Sequence, residues 1–254
     1  MEDHMKIISI NGITKTGKTT TCEALIRELS KRGYRVGSIK EIHNEAFAID
    51  TKGSNTDRHK EAGSMMVVAR GLFETDILIP KALDIESIFD YFDTDWLVCE
   101  GVEDANAPKI VTGITSFDLD GKWDDRVLAI SGRYSNLHVE RYRDKPVFHY
   151  EKDITNFVNL LEKHVMHRLP NMDPACCDAC GSNCSELMIE RMNHPDSKRF
   201  CVLTNQDVEC FINGKSITMV PFVQKLLKNA VLGVASELDG YKHEHEIVVR
   251  IKKP

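Results

Sequence analysis

The sequence predicts an α/β fold of the P-loop NTPase class with a mainly parallel sheet, followed by a small α+β cysteine-rich domain. Three observations support this prediction. Residues 12–19 read Gly-Ile-Thr-Lys-Thr-Gly-Lys-Thr, an uninterrupted G-x4-G-K-[ST] motif. Short apolar runs alternate with helical stretches through the first two-thirds of the 254 residues. Six of the eight cysteines lie between Cys176 and Cys210, beyond a proline-bracketed turn at residues 168–174.

The G-x4-G-K-[ST] motif has the neighbours that a nucleotide-binding loop requires. Residues 6–10 form an apolar run that supplies the preceding strand, and apolar residues recur at helical spacing from residue 22 until Gly33 can end the helix. In such a loop the backbone N–H groups close around phosphate oxygens, Lys18 neutralises the charge of the β- and γ-phosphates, and Thr19 ligates Mg²⁺. The other loop residues expected at the phosphates are Gly12, Thr14, Lys15, Thr16, Gly17 and Thr20.

The alternating pattern predicts the remaining elements of both domains. Further strands are expected at residues 34–40, 76–80, 95–99, 127–131 and 146–150, and helices at residues 85–92 and 154–165. The domain boundary is expected at the proline-bracketed turn, which gives a nucleotide-binding domain of residues 1–168 and a metal- or iron–sulfur-binding domain of residues 169–254. The second domain is expected to contain a hairpin around Asn213-Gly214 with strands at residues 208–212 and 216–220, a helix from about Pro221 and a last strand at residues 246–251.

A P-loop also needs a carboxylate near Mg²⁺ or near the attacking water. Glu100 directly follows the apolar run at residues 95–99. The carboxyl end of a parallel strand lies where ligands of open α/β sheets bind, so we expect Glu100 to bind the metal or the water. Alternatively, Glu100 only caps a strand. Asp50 and Asp57 follow the second predicted strand and either complete the Mg²⁺ shell or are solvated loop residues.

The cysteine pattern beyond the domain boundary indicates a metal site. Three cysteines lie close together, and a fourth follows after sixteen intervening residues. Four thiolates hold either a 4Fe-4S cluster or a tetrahedral Zn²⁺ ion, and this spacing favours the iron–sulfur cluster over zinc. Cys210 alternates with apolar neighbours, which is more typical of a buried small hydrophobe. The expected ligands are Cys177, Cys180, Cys184 and Cys201, with Cys176 and Cys210 as spare ligands.

Composition argues against several classes of partner. The formal net charge is −6, whereas a protein that binds duplex nucleic acid needs a basic stripe. No run reaches the 18 apolar residues of a membrane span, and the acidic N-terminus runs directly into the first predicted strand. The sequence therefore predicts a cytoplasmic protein without a nucleic-acid or membrane partner. In a reducing compartment, clustered cysteines favour metal binding over disulfides.

The order of these motifs resembles the MobB family, molybdopterin-guanine dinucleotide biosynthesis protein B. The resemblance covers residues 5 to about 168. It is carried by residues 12–20, 33–40, 57–63, 99–101 and 108–110, together with His43, Asp50 and Gly53. The chain departs from the family at residues 40–44, where a histidine-rich stretch usually follows the lysine, and at Ser54-Asn55, where Lys-Asp is usual. The cysteine pattern looks like a C-terminal extension that some archaeal and anaerobe MobB-like proteins carry.

The resemblance implies a homodimeric, weak GTPase that assists the guanylyltransferase attaching GMP to molybdopterin, which makes the guanine dinucleotide form of the molybdenum or tungsten cofactor. Molybdoenzymes or tungstoenzymes are further candidate partners. Because no N-K-x-D motif is present, the expectation of GTP over ATP depends on the resemblance. The resemblance also implies that Lys18 and Thr19 hold phosphate and Mg²⁺, and that the site is lined by Lys40, His43, Asp50 and Glu100.

The leading hypothesis is a GTP-binding adaptor with slow Mg²⁺-dependent hydrolysis, for which Lys18, Glu100 and Asp50 are the expected catalytic residues. Hydrolysis should be slow because no arginine finger is assigned, and Arg58 and Arg70 are the only candidates for one. An alternative is a nucleotide-gated iron–sulfur metallochaperone or electron-donor protein. Such proteins often carry a second lysine in the loop, where this chain has Ile13. A third hypothesis is a scaffold that binds nucleotide only for stability.

Overall fold

A computed structural model describes residues 5–44, 47–171, 177, 180–201, 203, 208–212, 215–217, 219–239, 247–249 and 251. The chain forms two compact units, which divide between His167 and Arg168. The strands are β1 (Lys6–Asn11), β2 (Val36–Lys40), β3 (Val67–Arg70), β4 (Thr75–Leu78), β5 (Trp96–Glu100), β6 (Lys109–Thr112), β7 (Val127–Ser131), β8 (Arg141–Tyr142), β9 (Lys145–Pro146), β10 (Phe211–Ile212) and β11 (Lys215–Ser216). The helices are α1 (Lys18–Lys31), α2 (Asn55–Glu61), α3 (Ile85–Phe89), α4 (Ser116–Asp120), α5 (Ile154–His164), α6 (Cys184–Asn193) and α7 (Pro221–Ala235), and a 3₁₀ helix covers Gly132–Leu137.

Five strands of the first unit form a parallel sheet in the order β2-β5-β1-β6-β7. β5 and β7 are buried along their whole length, which is typical of parallel strands covered on both faces. Leu97 and Cys99 of β5 pack with Ile85 and Phe89 of α3. Because all five strands run in one direction, their carboxyl ends meet at a single edge of the sheet, and the loop of residues 12–17 leaves β1 at this edge.

α1 begins directly after this loop and is fastened to α5. Arg32, which caps the C-terminus of α1, forms ion pairs with Glu28 at 3.1 Å and with Glu162 of α5 at 2.8 Å. The apolar face of α5 buries Phe157 and Leu161 completely. The helix that carries the P-loop lysine is therefore anchored at its far end by a second helix.

Most predicted elements of the sheet are confirmed. β1, β2, β5 and β7 lie at predicted strands, and the helix after the P-loop forms as expected. α5 and α7 also lie at their predicted positions, whereas α3 ends at Phe89, earlier than predicted. The sheet and the helix that follows β1 therefore give the P-loop the setting that its motif requires.

One predicted member of the parallel sheet is wrong, and another is only partly formed. The predicted strand at residues 76–80 corresponds to β4, which pairs antiparallel with β3 in a separate hairpin. The predicted strand at residues 146–150 is reduced to β9, because Arg143 and Asp144 adopt positive φ angles of 45° and 62° and turn the chain into a hairpin with β8. Directly after β9, a single parallel bridge joins Val147 to Ile130 of β7. An apolar run has the same appearance in a hairpin and in a parallel sheet, so the pattern alone could not separate them.

The pattern also missed several elements. β6 lies between β1 and β7 but contributes only Ile110 and Val111 as apolar residues, which is too short a run to be recognised. The short helices α2, α4 and α6 were not predicted, although each begins at a residue whose side chain accepts a hydrogen bond from the backbone of the first turn. These capping residues are Ser54, Thr115 and Asn183.

The second unit contains α6, the hairpin β10–β11 and α7. The hairpin lies where predicted but is shorter, and its turn residues at 213–214 are outside the described part of the chain. The predicted last strand is wrong for the residues that are described, 247–249 and 251, because these form no strand. Within the described ranges, no helix has the length and apolar character that would let it cross a membrane.

Candidate nucleotide-binding site

The loop of residues 12–17 is stabilised by the hydroxyl of its residue Thr16 and by contact with β6. The Thr16 hydroxyl donates to the Ile13 carbonyl at 2.8 Å and lies 2.8 Å from the Thr112 hydroxyl at the end of β6. Thr16 is completely buried. Gly17 adopts a φ of 98° at the N-cap of α1, a conformation that favours glycine. The loop is thus a fixed turn whose backbone continues directly into the N-terminus of α1.

Lys18, the first residue of α1, folds back over this loop. Its Nζ donates to the carbonyl oxygens of Gly12 at 2.8 Å and Ile13 at 2.6 Å. Burial lowers the pKa of Lys18, and the nearby Glu100 carboxylate opposes that shift. The ammonium group is therefore positioned over the loop, where the motif predicts it to meet phosphate oxygens.

The Glu100 side chain contacts residues at the start of α1 and at the end of β2. Its side chain is 8% exposed, and Oε1 accepts a hydrogen bond from the Thr19 hydroxyl at 2.7 Å. The same oxygen is contacted by the Lys40 ammonium from the end of β2. Of the predicted site residues, the structure therefore brings Lys18, Thr19, Lys40 and Glu100 together at the edge of the sheet.

The Thr19 hydroxyl and the Glu100 carboxylate fit a Mg²⁺ ion. Octahedral Mg²⁺ binds oxygen ligands at about 2.0–2.1 Å, so two adjacent ligand oxygens lie about 2.9 Å apart. The Thr19 Oγ1 to Glu100 Oε1 distance of 2.7 Å is close to this separation. A hydroxyl and a carboxylate are also the oxygen types that Mg²⁺ prefers. These two residues could therefore hold the ion next to the place where the motif predicts Lys18 to meet phosphate oxygens.

The loop after β5 is pinned to β1 by two buried side chains. The Ser9 hydroxyl and the Asn11 amide both donate to the Val102 carbonyl, the second at 3.0 Å. Ser9 and Asn11 are each 1% exposed. Because Val102 lies two residues after Glu100, these bonds fix the chain at the point where it leaves the site.

Gly132 and Arg133, which sequence reasoning missed, touch the P-loop from the end of β7. The Arg133 N–H donates to the Thr16 carbonyl at 2.8 Å, and its guanidinium lies 3.5 Å from the Lys15 carbonyl. Gly132 has a φ of 68° and packs against the Thr16 carbonyl with no room for a side chain. A glycine directly after a buried strand was the available signal, and it becomes informative once β7 is known to end beside β1 and β6.

A second ion pair, between Lys122 and Glu103, lies near the site. Lys122 donates to Glu103 and lowers the pKa of that carboxylate, with a smaller contribution from His43. Lys122 is also near enough to Lys18 to lower its pKa. The predicted residue His43 therefore lies near the Glu103–Lys122 pair, and its side chain is exposed.

Asp50 lies in a different cluster, around the start of α2. Its carboxylate accepts hydrogen bonds from Ser54 at 2.8 Å and Thr56 at 2.9 Å and pairs with Lys60 at 3.0 Å. The Lys60 ammonium is the main cause that lowers the pKa of Asp50 to about 2. Asp57 pairs with the same lysine at 3.2 Å. These contacts give Asp50 a part in shaping its own segment, and its membership of the Mg²⁺ shell remains a prediction.

The remaining predicted residues of the first unit lie at exposed positions. Thr14, Lys15 and Thr20 line the outer side of the loop and of the first turn of α1, and Arg58 and Arg70 are exposed on α2 and β3. Two cysteines near the site are buried instead: burial raises the pKa of Cys22 and of Cys99 to about 12. Both thiols are therefore neutral at physiological pH and act as packing groups.

In the second unit, Arg199 fastens the segment before Cys201 to the turn that contains Cys180. Its guanidinium donates to the Cys180 carbonyl at 3.0 Å and to the Ser182 hydroxyl at 2.9 Å. Cys184 is the first residue of α6, and Cys201 is buried. Among the described residues, no three His, Cys, Asp or Glu side chains are close enough together to hold a metal ion. Cys176 lies outside the described residues, Cys177 and Cys210 are half-buried, and the four-cysteine cluster remains a prediction.

Comparisons with known proteins point to one family. The model of the family described as molybdopterin guanine dinucleotide synthesis protein B matches residues 7–130. A Haemophilus influenzae protein named "molybdopterin-guanine dinucleotide biosynthesis adapter protein" is 31% identical over 147 residues, which cover 56% of this chain and 82% of that protein. The crystal structure of Bacillus subtilis MobB shares the fold, with a TM-score of 0.50 and 24% identity over 61% of this chain and 96% of that one.

One relative extends the similarity into the cysteine-rich segment. A Methanocaldococcus jannaschii protein named "putative molybdopterin-guanine dinucleotide biosynthesis adapter protein" is 26% identical over 254 residues. The match covers 97% of each chain, so it includes the second unit as well as the P-loop unit.

Proposed function

The chain belongs to the MobB family, and we propose that it binds GTP with Mg²⁺ and acts as an adaptor in molybdopterin guanine dinucleotide biosynthesis. The observation that carries the nucleotide part is the convergence of Lys18, Thr19 and Glu100 at one edge of a parallel sheet. The adaptor part is supported by the names of the relatives in Haemophilus influenzae and Methanocaldococcus jannaschii. The preference for guanine is part of the proposal and depends on the family.

Each residue of the site has a separate task in this proposal. Lys18 turns from the loop carbonyls to the β- and γ-phosphates, and the N-terminus of α1 adds its partial positive charge. Thr19 and Glu100 hold Mg²⁺, which would offset the charge of the phosphates. Arg133 adds a guanidinium at the outer side of the loop, close to Lys15. We propose slow hydrolysis, because no arginine finger is assigned and Asp50, one of the expected catalytic residues, is engaged by Lys60 and Ser54.

The partner in this proposal is a molybdopterin guanylyltransferase, and the chain acts as a homodimer. Slow hydrolysis suits an adaptor, since a long-lived nucleotide-bound form can stay docked on the partner through a transfer reaction. Light scattering of the purified chain tests the dimer directly. A mass equal to one chain at micromolar concentration would remove the dimer from the proposal without affecting nucleotide binding.

The second domain, residues 169–254, is proposed to hold a 4Fe-4S cluster on Cys177, Cys180, Cys184 and Cys201, with Zn²⁺ as the alternative. The Arg199 contacts that join the Cys201 segment to the Cys180 turn support a single site. The alternative function of a nucleotide-gated metallochaperone or electron donor is less favoured, because Ile13 occupies the loop position where such proteins often have a second lysine.

Nucleotide binding is tested by calorimetric titration of the full chain with GTP and ATP, with and without Mg²⁺. The loss of a charge-assisted contact to phosphate in Lys18→Ala should weaken GTP binding by at least about tenfold. Lys163→Ala, which removes an exposed lysine in the last turn of α5, is the matched control and should bind like the wild type. Stimulation of a guanylyltransferase by the wild type, lost in Lys18→Ala, would support the adaptor role.

Three results would change the proposal in different ways. Equal binding of GTP by Lys18→Ala and wild type would overturn the P-loop site. A preference for ATP would overturn the guanine assignment alone. Stimulation of the guanylyltransferase by Lys18→Ala, without bound nucleotide, would favour the scaffold hypothesis.

A further inference from the structure

Lys40 is fixed beside Glu100 by the backbone of the sheet. β2 and β5 pair in parallel with Lys40 opposite Glu100 in the register. The next residue, Glu41, donates its N–H to the Glu100 carbonyl at 2.9 Å, which extends the pairing past the end of β2. The lysine side chain therefore starts from a defined position, one strand away from the residue that we assign to Mg²⁺.

The Lys40 ammonium and the Thr19 hydroxyl use the same oxygen of Glu100. Oε1 accepts from Thr19 Oγ1 at 2.7 Å and from Lys40 Nζ. The Glu100 side chain is only 8% exposed, and a carboxylate that is so little exposed needs a cation. Lys40 supplies this cation while 55% of its own side chain is exposed, so its ammonium can return to water with little loss.

We propose that Lys40 competes with Mg²⁺ for the Glu100 carboxylate, so that metal binding displaces the lysine and turns it out towards solvent. The inference rests on the proposed function, because it assigns Mg²⁺ to Thr19 and Glu100. Two cations that use one carboxylate oxygen would lie only a few ångströms apart and repel each other strongly in a partly buried site. The metal also needs the lone pairs that the ammonium engages. Lys40 is thus a positioning residue that sets how readily the site takes its metal.

This competition has two measurable consequences. Removing the ammonium should tighten metal binding, because the metal no longer has to displace a paired cation. Adding metal should free the amine of Lys40 in the wild type, because its carboxylate partner is taken. The second consequence needs no substitution, so it can be measured on the unaltered chain.

Metal affinity is measured by electron paramagnetic resonance titration with Mn²⁺ alone, which replaces Mg²⁺ in oxygen sites. Lys40→Met should bind Mn²⁺ about fivefold more tightly than the wild type, the effect of losing one partly exposed ion pair. Lys40→Arg keeps the charge and should stay within about twofold of the wild type. Lys122→Met removes a nearby positive charge that pairs with Glu103 and not with Glu100. If direct competition matters more than the summed field of nearby charges, this substitution should change the Mn²⁺ affinity by less than about twofold.

The release of Lys40 is measured by mass spectrometry after brief amine labelling of the wild type, with and without Mn²⁺. The labelling rate of Lys40 should rise at least about twofold with metal, relative to Lys163 on α5 in the same sample. Lys40→Met binding Mn²⁺ no more tightly than the wild type would overturn the inference, and so would an unchanged labelling rate. If Lys40→Met fails to fold, as judged by circular dichroism, the labelling result alone decides.

Failure of the inference can be separated from failure of the proposed function. GTP binding and its dependence on Lys18 are measured in the same preparations. GTP binding that is lost in Lys18→Ala, together with equal Mn²⁺ affinity in wild type and Lys40→Met, would overturn only the competition. A wild type that binds neither GTP nor Mn²⁺ would overturn both.

Discussion

Two glycines that are far apart in the sequence let the P-loop and the end of β7 meet backbone to backbone. A Cβ on Gly17 would lie 3.0 Å from the Gly132 Cα. A Cβ on Gly132 would lie 2.8 Å from the Thr112 Cβ and well inside contact distance of the Thr16 carbonyl. Gly132 also has a φ of 68°, which side chains other than glycine rarely adopt. The shape of the phosphate loop therefore depends on a residue outside its own motif.

Gly132→Ala is expected to weaken both the fold and the nucleotide site. The positive φ costs about 1–2 kcal/mol in an alanine, and displacement of the Thr16 carbonyl adds to this. We expect the free energy of unfolding to fall by about 2–4 kcal/mol, measured by urea denaturation. Because Thr16 belongs to the loop, GTP affinity measured by calorimetry should also fall by about tenfold or more.

Gly33→Ala is the matched control for this substitution. Gly33 has a φ of 92°, but nothing lies within 4 Å of the position of an added Cβ. The alanine should share the backbone strain, at about 1–2 kcal/mol, and leave GTP affinity unchanged. If both variants lost the same affinity, close packing of Gly132 on the loop would not explain the result.

The difference between predicted and missed site residues has a simple physical cause. Lys18 and Thr19 are fixed by a contiguous motif, and Glu100 follows from the rule that ligands bind at the carboxyl ends of parallel strands. Gly132 and Arg133 contact the loop only because β7 lies on the far side of β6 from β1 and ends at the same edge. Strand order is a property of the folded sheet, so a single sequence gives no direct sign of this contact.

At the scale of elements, sequence reasoning succeeded where an element carries its own local signal. The fully buried strands β5 and β7 and the amphipathic helix α5 have long apolar patterns and were predicted. β6 was missed because it has few apolar residues, and β4 was assigned to the wrong sheet because pairing partners are not local. Boundaries and partners are therefore set by tertiary contacts that the pattern does not contain.

Contacts of the Asp50 and Asp57 carboxylates stabilise the segment that leads into α2. The order of this segment should therefore depend on pH. Lys60 lowers the pKa of Asp50 to about 2, with further hydrogen bonds from Ser54 and Thr56. Asp57 has its pKa lowered by the Gly53 N–H and by Lys60. Since the folded pKa values lie below the ordinary range, the stabilisation is complete above the ordinary carboxyl pKa and is lost as the pH falls towards about 2.

Carboxyl ¹³C NMR titration can measure this dependence for Asp50. The wild type should titrate near the value of about 2, and Lys60→Met should raise the midpoint towards the ordinary range because the main cause of the shift is removed. Lys52→Met, which removes an exposed lysine of the same segment, should leave the midpoint where it is in the wild type. If the Asp50 midpoint is the same in Lys60→Met as in the wild type, the ion pair does not hold the segment in solution.

At the scale of the whole molecule, the chain combines a P-loop unit with a second, cysteine-rich unit. Six of the eight cysteines lie in the second unit, whereas Cys22 and Cys99 of the first are buried packing groups. The described elements of the second unit are two helices and one short hairpin. The cysteine ligands that we predict all lie in this unit, so the metal assignment is a prediction about this unit alone.

The identity of the metal can be decided on the full chain, purified without oxygen. A broad visible absorption with bound iron and sulfide would establish the 4Fe-4S cluster, and its loss in Cys180→Ala would place the cluster on the predicted ligands. Cys210→Ala is the control, because Cys210 is only a spare ligand in our prediction and its removal should keep the absorption. A colourless protein with one bound zinc would establish Zn²⁺ and make the second unit a structural or docking module. A protein without iron or zinc would overturn the metal site altogether.

With iron bound, GTP affinity compared before and after reduction by dithionite would then report whether the cluster and the nucleotide site are coupled, since coupling must appear as a change in affinity between the two redox states.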